Sequence, residues 1–278
     1  MRQRRHSPGH LVWRGVVAAA SDLLMATGVY PFVPHAGMMW SRWRKQRPSP
    51  PRQLQVAMRE WGAALALSAA RPLGFLPLPG HRGHGPRPII VLHGYAMNRA
   101  NFVVLARRLA TAGLGPVLGF EYWTLGKTGA AARRLGAYVD EVRAATGADT
   151  VDLIGHSMGG VVARYYVTLG GGDGKVANLI TLGSPHSGTD VSAIGFGAPT
   201  KDLFLNSSLV QRLDAAPRPT HTKTTVIWSR SDALVPGSRH ARIEGAEEVL
   251  YDDLGHLSLL TDPRVAAEVI ARLARIAP

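Results

Sequence analysis

Thr150-Val151-Asp152-Leu153-Ile154-Gly155-His156-Ser157-Met158-Gly159-Gly160-Val161-Val162-Ala163 is an apolar run, a glycine-rich turn around a serine, and the start of a second apolar run. The first run lacks a polar–apolar alternation, which predicts a strand buried on both faces, as in a parallel sheet. The second predicts a helix. Gly155-x-Ser157-x-Gly159 at such a junction is the pattern of a nucleophile elbow, where a sharp turn crowds the backbone and positions 155 and 159 must be small. A serine hydroxyl is a weak nucleophile at neutral pH. It needs a base, a group to orient that base, and donors for an oxyanion. The helix after the turn aims its N-terminus at the serine and favours negative charge there.

Outward from this junction, short apolar runs at 89–92, 116–120, 176–182, 224–228 and 247–251 predict further strands. Apolar periodicity predicts helices over 101–113, 128–146, 161–169, 202–213 and 263–276. The alternation predicts an α/β fold: a mostly parallel sheet of about six strands with helices on both faces. The stretch between 182 and 224 leaves little room for a large cap domain, and Phe196, Phe204 and Leu205 within it are candidates for lining an acyl groove.

The base and acid should follow the serine in the order Ser…Asp…His. Asp232 stands just after the strand at 224–228, and His256 follows the strand at 247–251. Both positions are carboxyl ends of strands, where open α/β sheets hold their ligands. Asp252 and Asp253 are rival acids, four and three residues before His256. Two backbone amides should bind the oxyanion: that of Met158, directly after the serine, and one from His93-Gly94-Tyr95 after the first strand, with Tyr95 the donor. Gly94 lets that loop approach closely.

The 278 residues contain no cysteine, which excludes disulfides and cysteine-ligated metals. The net charge of +13 is unevenly placed: residues 1–88 hold 13 Lys/Arg against only Asp22 and Glu60. Residues 1–85 therefore read as a basic, partly apolar and helical N-terminal extension, with Pro-rich linkers at 48–51 and 72–88, and residues 86–278 as the catalytic domain. Basic clusters beside Trp, Tyr and Phe around apolar runs suit an anionic membrane surface. Asp22, Pro31 and Pro34 interrupt the first run, and the second, from Trp61 to Ala70, is short, so a spanning helix or cleaved signal fits less well. No nucleic-acid motif accompanies the charge.

Four motifs carry a resemblance: His93-Gly94-Tyr95, Gly155-His156-Ser157-Met158-Gly159-Gly160, Leu182-Gly183-Ser184-Pro185-His186-Ser187-Gly188-Thr189 and Gly255-His256-Leu257-Ser258-Leu259-Leu260. Over roughly residues 88–277 the chain resembles the bacterial lipase and esterase group of α/β-hydrolases, and the elbow and His256 loop are similar to small lidless triacylglycerol lipases. The resemblance implies Ser157, Asp232 and His256 as the triad, Tyr95 and Met158 as oxyanion donors, and His93, Gly94, His156 and His186 beside the substrate. It implies an ester or lipid substrate, hydrolysis through an acyl-enzyme, and no metal or organic cofactor. The lidless group lacks this long basic extension, which adds the expectation of a bacterial, membrane-associated protein. Thioester hydrolysis or acyl transfer on the same site is the nearest alternative. A catalytically idle hydrolase fold that serves as a membrane-binding module is the second, and nucleic-acid binding through the extension the third.

Overall fold

A computed structural model describes residues 50–85, 87–190, 197–235 and 237–275. Six strands form one sheet: β1 (Ile89–Leu92), β2 (Val117–Phe120), β3 (Val151–His156), β4 (Val176–Leu182), β5 (Lys223–Ser229) and β6 (Glu247–Tyr251). Their order is β2-β1-β3-β4-β5-β6, and every neighbouring pair is parallel. β1 and β3 are buried along their whole length, as strands covered on both faces must be. At the β6 edge, Glu247 and Glu248 face solvent, and charge there discourages pairing with another chain.

The helices are α1 (Pro50–Ala70), α2 (Val103–Thr111), α3 (Thr128–Thr146), α4 (Met158–Leu169), α5 (Pro199–Asp202), α6 (Ser208–Ala215), α7 (Ser238–Ala241) and α8 (Pro263–Leu273). On one face of the sheet, Ala131, Leu135 and Val139 of α3, Val161, Val162 and Tyr166 of α4 and Leu209 and Leu213 of α6 pack on Ile90, Leu92, Leu153 and Leu179. α2 and α8 pack together on the other side. α8 begins on an Asp262 cap, whose carboxylate accepts the Arg264 amide at 2.8 Å, with Pro263 in the first turn. It buries Val265, Ala266, Val269 and Leu273, one stripe of the helix.

Strand order reverses between β1 and β3, since β1 leads to β2 on one side and β3 leads to β4 on the other. Loops leaving the carboxyl ends of those two strands diverge and open a crevice, the usual place for a ligand in this architecture. Leu92, the last residue of β1, pairs with Gly155 of β3, so His93-Gly94-Tyr95 and Ser157 emerge side by side.

Three differences from the sequence expectations concern where elements begin. The linker expected at 48–51 contains the start of α1, because proline is tolerated in a first turn whose amides have no helical partner. α1 therefore runs for 21 residues, and the apolar run from Trp61 is only its second half. α4 starts at Met158, with no spacer after Ser157. The boundary expected at 85/86 falls inside the compact unit that holds both α1 and the sheet. Val56, Ala63, Ala64 and Leu67 of α1 and Leu78 beyond it are buried in that unit, and the Gly80 carbonyl accepts the Val117 amide of β2 at 3.0 Å. Residues 1–49 of the expected extension, and Phe196, lie outside the described residues.

Candidate active site

Ser157 sits between β3 and α4 with φ 54° and ψ −126°. A side chain with φ positive is strained by about 1–3 kcal/mol. Surrounding backbone holds it there: the Ser157 amide donates to the Leu182 carbonyl at 2.9 Å, and its carbonyl accepts from the Gly160 amide at 3.1 Å. The turn is crowded enough that a methyl group at Gly155 would lie 2.5 Å from the Gly160 Cα, and one at Gly159 would run into the Leu92 and His93 carbonyls. Both small residues are required by this packing. Met158 is the first residue of α4, so its amide is one of those that helix geometry leaves without a helical acceptor.

Asp232 and His256 come from the loops after β5 and β6. His256 Nδ1 lies 2.8 Å from Asp232 Oδ2. The other carboxylate oxygen accepts the Leu234 and Val235 amides at 2.8 and 2.9 Å, an Asx turn that fixes its orientation. Burial would raise the Asp232 pKa, but the charge and hydrogen bond of His256 and these two amides hold it below the usual carboxylate value. Burial would lower that of His256; the charge and hydrogen bond of Asp232, then the charge of Glu60, outweigh it and raise the imidazole. The loops are cross-tied by Ser229 Oγ to the Leu254 carbonyl and Ser231 Oγ to the Asp252 carbonyl, each at 2.6 Å. Asp252 and Asp253, the rival acids, pair instead with Arg230 and Arg52, and with Arg264 and Arg59.

Two links bring this pair to the serine. The His156 ring packs against the His256 ring, centroids 4.6 Å apart, and His156 Nε2 donates to the His256 carbonyl at 3.1 Å. Burial, and then the charge of His256, push the His156 pKa down to about 3, so this ring stays neutral. Gly183, which follows the carbonyl that binds the Ser157 amide, lies against both partners: a methyl there would be 3.0 Å from Asp232 Oδ2 and 3.3 Å from His256 Nδ1.

The His93-Gly94-Tyr95 loop covers the serine from β1. A methyl on Gly94 would lie 3.1 Å from Ser157 Cβ and 3.3 Å from His156 Nδ1. The loop is braced by residues after β2. Tyr122 donates its hydroxyl to the His93 carbonyl at 2.6 Å and stacks on the His93 ring at 4.7 Å. Glu121 Oε2 lies 3.2 Å from His93 Nε2, while Oε1 accepts the Arg99 amide and guanidinium at 2.7 and 3.0 Å. Burial would raise the Glu121 carboxyl, yet His93 and Arg99 bring it down to about 2.

His186 is completely buried, with Nε2 2.9 Å from Thr181 Oγ1, and its carbonyl accepts from Arg164 at 3.0 Å. These bonds fix the 184–189 loop. Phe204 is exposed and Leu205 half-buried. Three residues of the site's framework were not singled out from sequence for that role: Glu60, Glu121 and Tyr122. The last two stand at the carboxyl end of β2, a position that could have marked them. Glu60 lies on a helix before the first strand and carried no signal beyond being one of two acids among residues 1–88.

A family model described as a PGAP1-like alpha/beta domain matches residues 132–205, a span that includes the elbow. A triacylglycerol lipase of Pseudarthrobacter phenanthrenivorans is 48% identical over 54 residues, 19% of this chain. That match spans only 16% of the relative's length. The solved structure of Bacillus licheniformis lipase BlEst2 in its mature form is similar at a TM-score of 0.62 and 16% identity, covering 69% of this chain and 95% of that one. Aspergillus fumigatus lipase B gives a TM-score of 0.59 at 15% identity, covering 72% of this chain and 55% of that one. The chain has the α/β-hydrolase fold, and its local sequence similarity is to triacylglycerol lipases.

Proposed function

We propose that this α/β-hydrolase-fold protein is a serine hydrolase of carboxylic esters, acting on lipid or acyl esters. The observation that carries the proposal is the buried Asp232–His256 pair at 2.8 Å, set beside a serine held at positive φ between β3 and α4. With its Nδ1 proton donated to Asp232, His256 offers Nε2 as a base. Ser157 gives its proton to that nitrogen and attacks the ester carbonyl. The amides of Met158 and Tyr95 receive the oxyanion, His256 returns the proton to the leaving alcohol, and water repeats the sequence on the acyl-enzyme. The local similarity to triacylglycerol lipases supports the substrate class.

Ser157→Ala tests this directly. The folded variant should lose hydrolysis of p-nitrophenyl esters and labelling by a fluorophosphonate. Retention of either at wild-type level would overturn the proposal, and thioesters run beside the esters would reveal a preference for the other leaving group.

We further propose that the protein docks on an anionic lipid surface. α1 supports this with a second face. Leu54, Met58, Trp61 and Leu65, at helical spacing, are each more than half exposed, and so are Phe75 and Leu76 further along the chain. Contiguous exposed apolar side chains of this size mark an interaction surface. The excess of Lys/Arg over acids among residues 1–88 favours anionic headgroups as the partner. Among the described residues no helix is long and apolar enough to cross a membrane, and the proposal covers peripheral docking and N-terminal anchoring alike.

A further inference from the structure

α1 meets the loop that carries His256 at three points, all between residues far apart in the sequence. Arg52 Nη2 lies 3.5 Å from Asp252, and Arg59 pairs with Asp253. Between the base and the next helix, Glu60 Oε1 accepts the Leu257 amide at 2.8 Å and Oε2 accepts the Ser258 amide at 2.9 Å. Ser258 Oγ in turn accepts the Gly255 amide at 2.7 Å, on the other side of the base. The Glu60 residue is only 4% exposed, and a methyl at Gly255 would strike its carboxylate.

The two arginine pairs are partly solvated and so contribute little each. The Glu60 contact is of another kind. A buried carboxylate accepting two backbone amides makes charge-assisted bonds, roughly twice as strong as neutral ones. These bonds fix the two residues that directly follow His256. A helix held to the core by Val56, Ala63 and Leu67 thereby becomes a brace for the base.

We infer that Glu60 is a positioning residue for His256: its carboxylate locks the backbone on the carboxyl side of the base, and its negative charge favours the imidazolium formed as Ser157 is deprotonated. This rests on the proposed roles of Ser157, Asp232 and His256. Among the described residues, Asp232 from the loop after β5, His156 from the end of β3 and Glu60 from α1 face His256. The Arg59, Asp253, Arg264 and Asp262 cluster is paired within itself at the rim of the same loop. Of the two carboxylates with their charge on His256, Asp232 bonds the ring and Glu60 bonds the backbone.

The test is the pH profile of kcat/KM for p-nitrophenyl ester hydrolysis by the full chain, in wild type, Glu60→Gln and Glu60→Asp. Glutamine keeps one acceptor, presents an amide group to the second backbone N–H, and removes the charge. It should lower kcat on the order of tenfold, a typical loss when a group orienting a functional side chain is removed, with KM little changed. It should also move the acid limb to lower pH. Aspartate keeps the charge but withdraws the carboxylate by one methylene. It should lower kcat and leave the acid limb near its wild-type position. Fluorophosphonate titration counts competent sites, so misfolded protein does not enter kcat. An acid limb unmoved in Glu60→Gln would overturn the electrostatic role, and kcat per competent site unchanged in that variant would overturn the positioning role. If Glu60→Gln does not fold, unchanged kcat per competent site in Glu60→Asp overturns the proposal. A wild-type protein that neither turns over esters nor takes the label would instead remove the reading on which the proposal stands.

Discussion

His256 Nδ1 and Asp232 Oδ2 stand 2.8 Å apart, joining the loops after β5 and β6, with both side chains almost completely buried. The relationship is fixed from the acid's side, because Oδ1 already accepts two backbone amides and the carboxylate cannot turn away. Burial works against both charges, and their mutual attraction outweighs it: the acid is held low and the imidazole high.

Asp232→Asn should preserve that geometry while inverting its chemistry. The side-chain oxygen can still accept the Leu234 and Val235 amides, but the new amide group donates towards Nδ1 and moves the imidazole proton to Nε2. The base is then masked. We expect kcat to fall on the order of 10³- to 10⁴-fold, with melting temperature nearly retained; single-turnover kinetics with an activated ester would measure the loss.

Ester hydrolysis needs neutral His256, so activity should rise with pH through the imidazole pKa. That pKa is raised above the ordinary 6.5, and the acid limb of kcat/KM should therefore centre above 6.5. Both shifts stabilise the fold, but their contributions depend on pH in opposite directions. Lowered Asp232 contributes above its unfolded pKa and loses that as pH falls; raised His256 contributes below its unfolded pKa and loses that as pH rises through the folded one. A profile centred below 6.5 would contradict the pairing.

Gly159→Ala should damage both fold and activity. The added methyl would meet the Leu92 and His93 carbonyls, which are backbone and cannot swing aside. Overpacking of this kind costs about 1–3 kcal/mol. The displaced His93 carbonyl belongs to the loop over Ser157, so kcat should fall roughly 100-fold, the scale of an ångström's misplacement. Denaturation and steady-state kinetics on the same sample would show both effects.

Arg164→Leu should destabilise without touching the chemistry directly. Its guanidinium donates to the His186 and Leu213 carbonyls at 3.0 and 3.1 Å and reaches the half-exposed Asp214. Leaving two buried carbonyls without that donor should cost about 2–4 kcal/mol. The urea midpoint should drop with an unchanged slope.

Replacing Leu54, Met58, Trp61 and Leu65 together by serine should weaken binding to vesicles containing anionic phospholipid roughly tenfold or more. The melting temperature should hold, since none of the four is buried. Unaltered vesicle flotation would remove α1 as the docking face.

The elbow, the order Ser157…Asp232…His256 and the alternation of strands and helices were legible because each is local. Spacing along the chain fixes a strand's burial, a turn's crowding and a helix's start. Asp232 was preferred over Asp252 and Asp253 by chain position, and the tertiary structure gives the physical reason: the latter two are paired with arginines, some of them from α1. Glu60, Glu121 and Tyr122 could not be assigned from sequence, because their partners lie on other elements. The Glu60 contact joins residues 197 and 198 positions apart, and no periodicity encodes such a pairing. The sequence by itself determined an α/β sheet with a serine elbow and its candidate partners. Only the tertiary structure decided that a helix before the first strand belongs to the same compact unit, because its buried stripe and its carboxylate find their partners only once the sheet has formed.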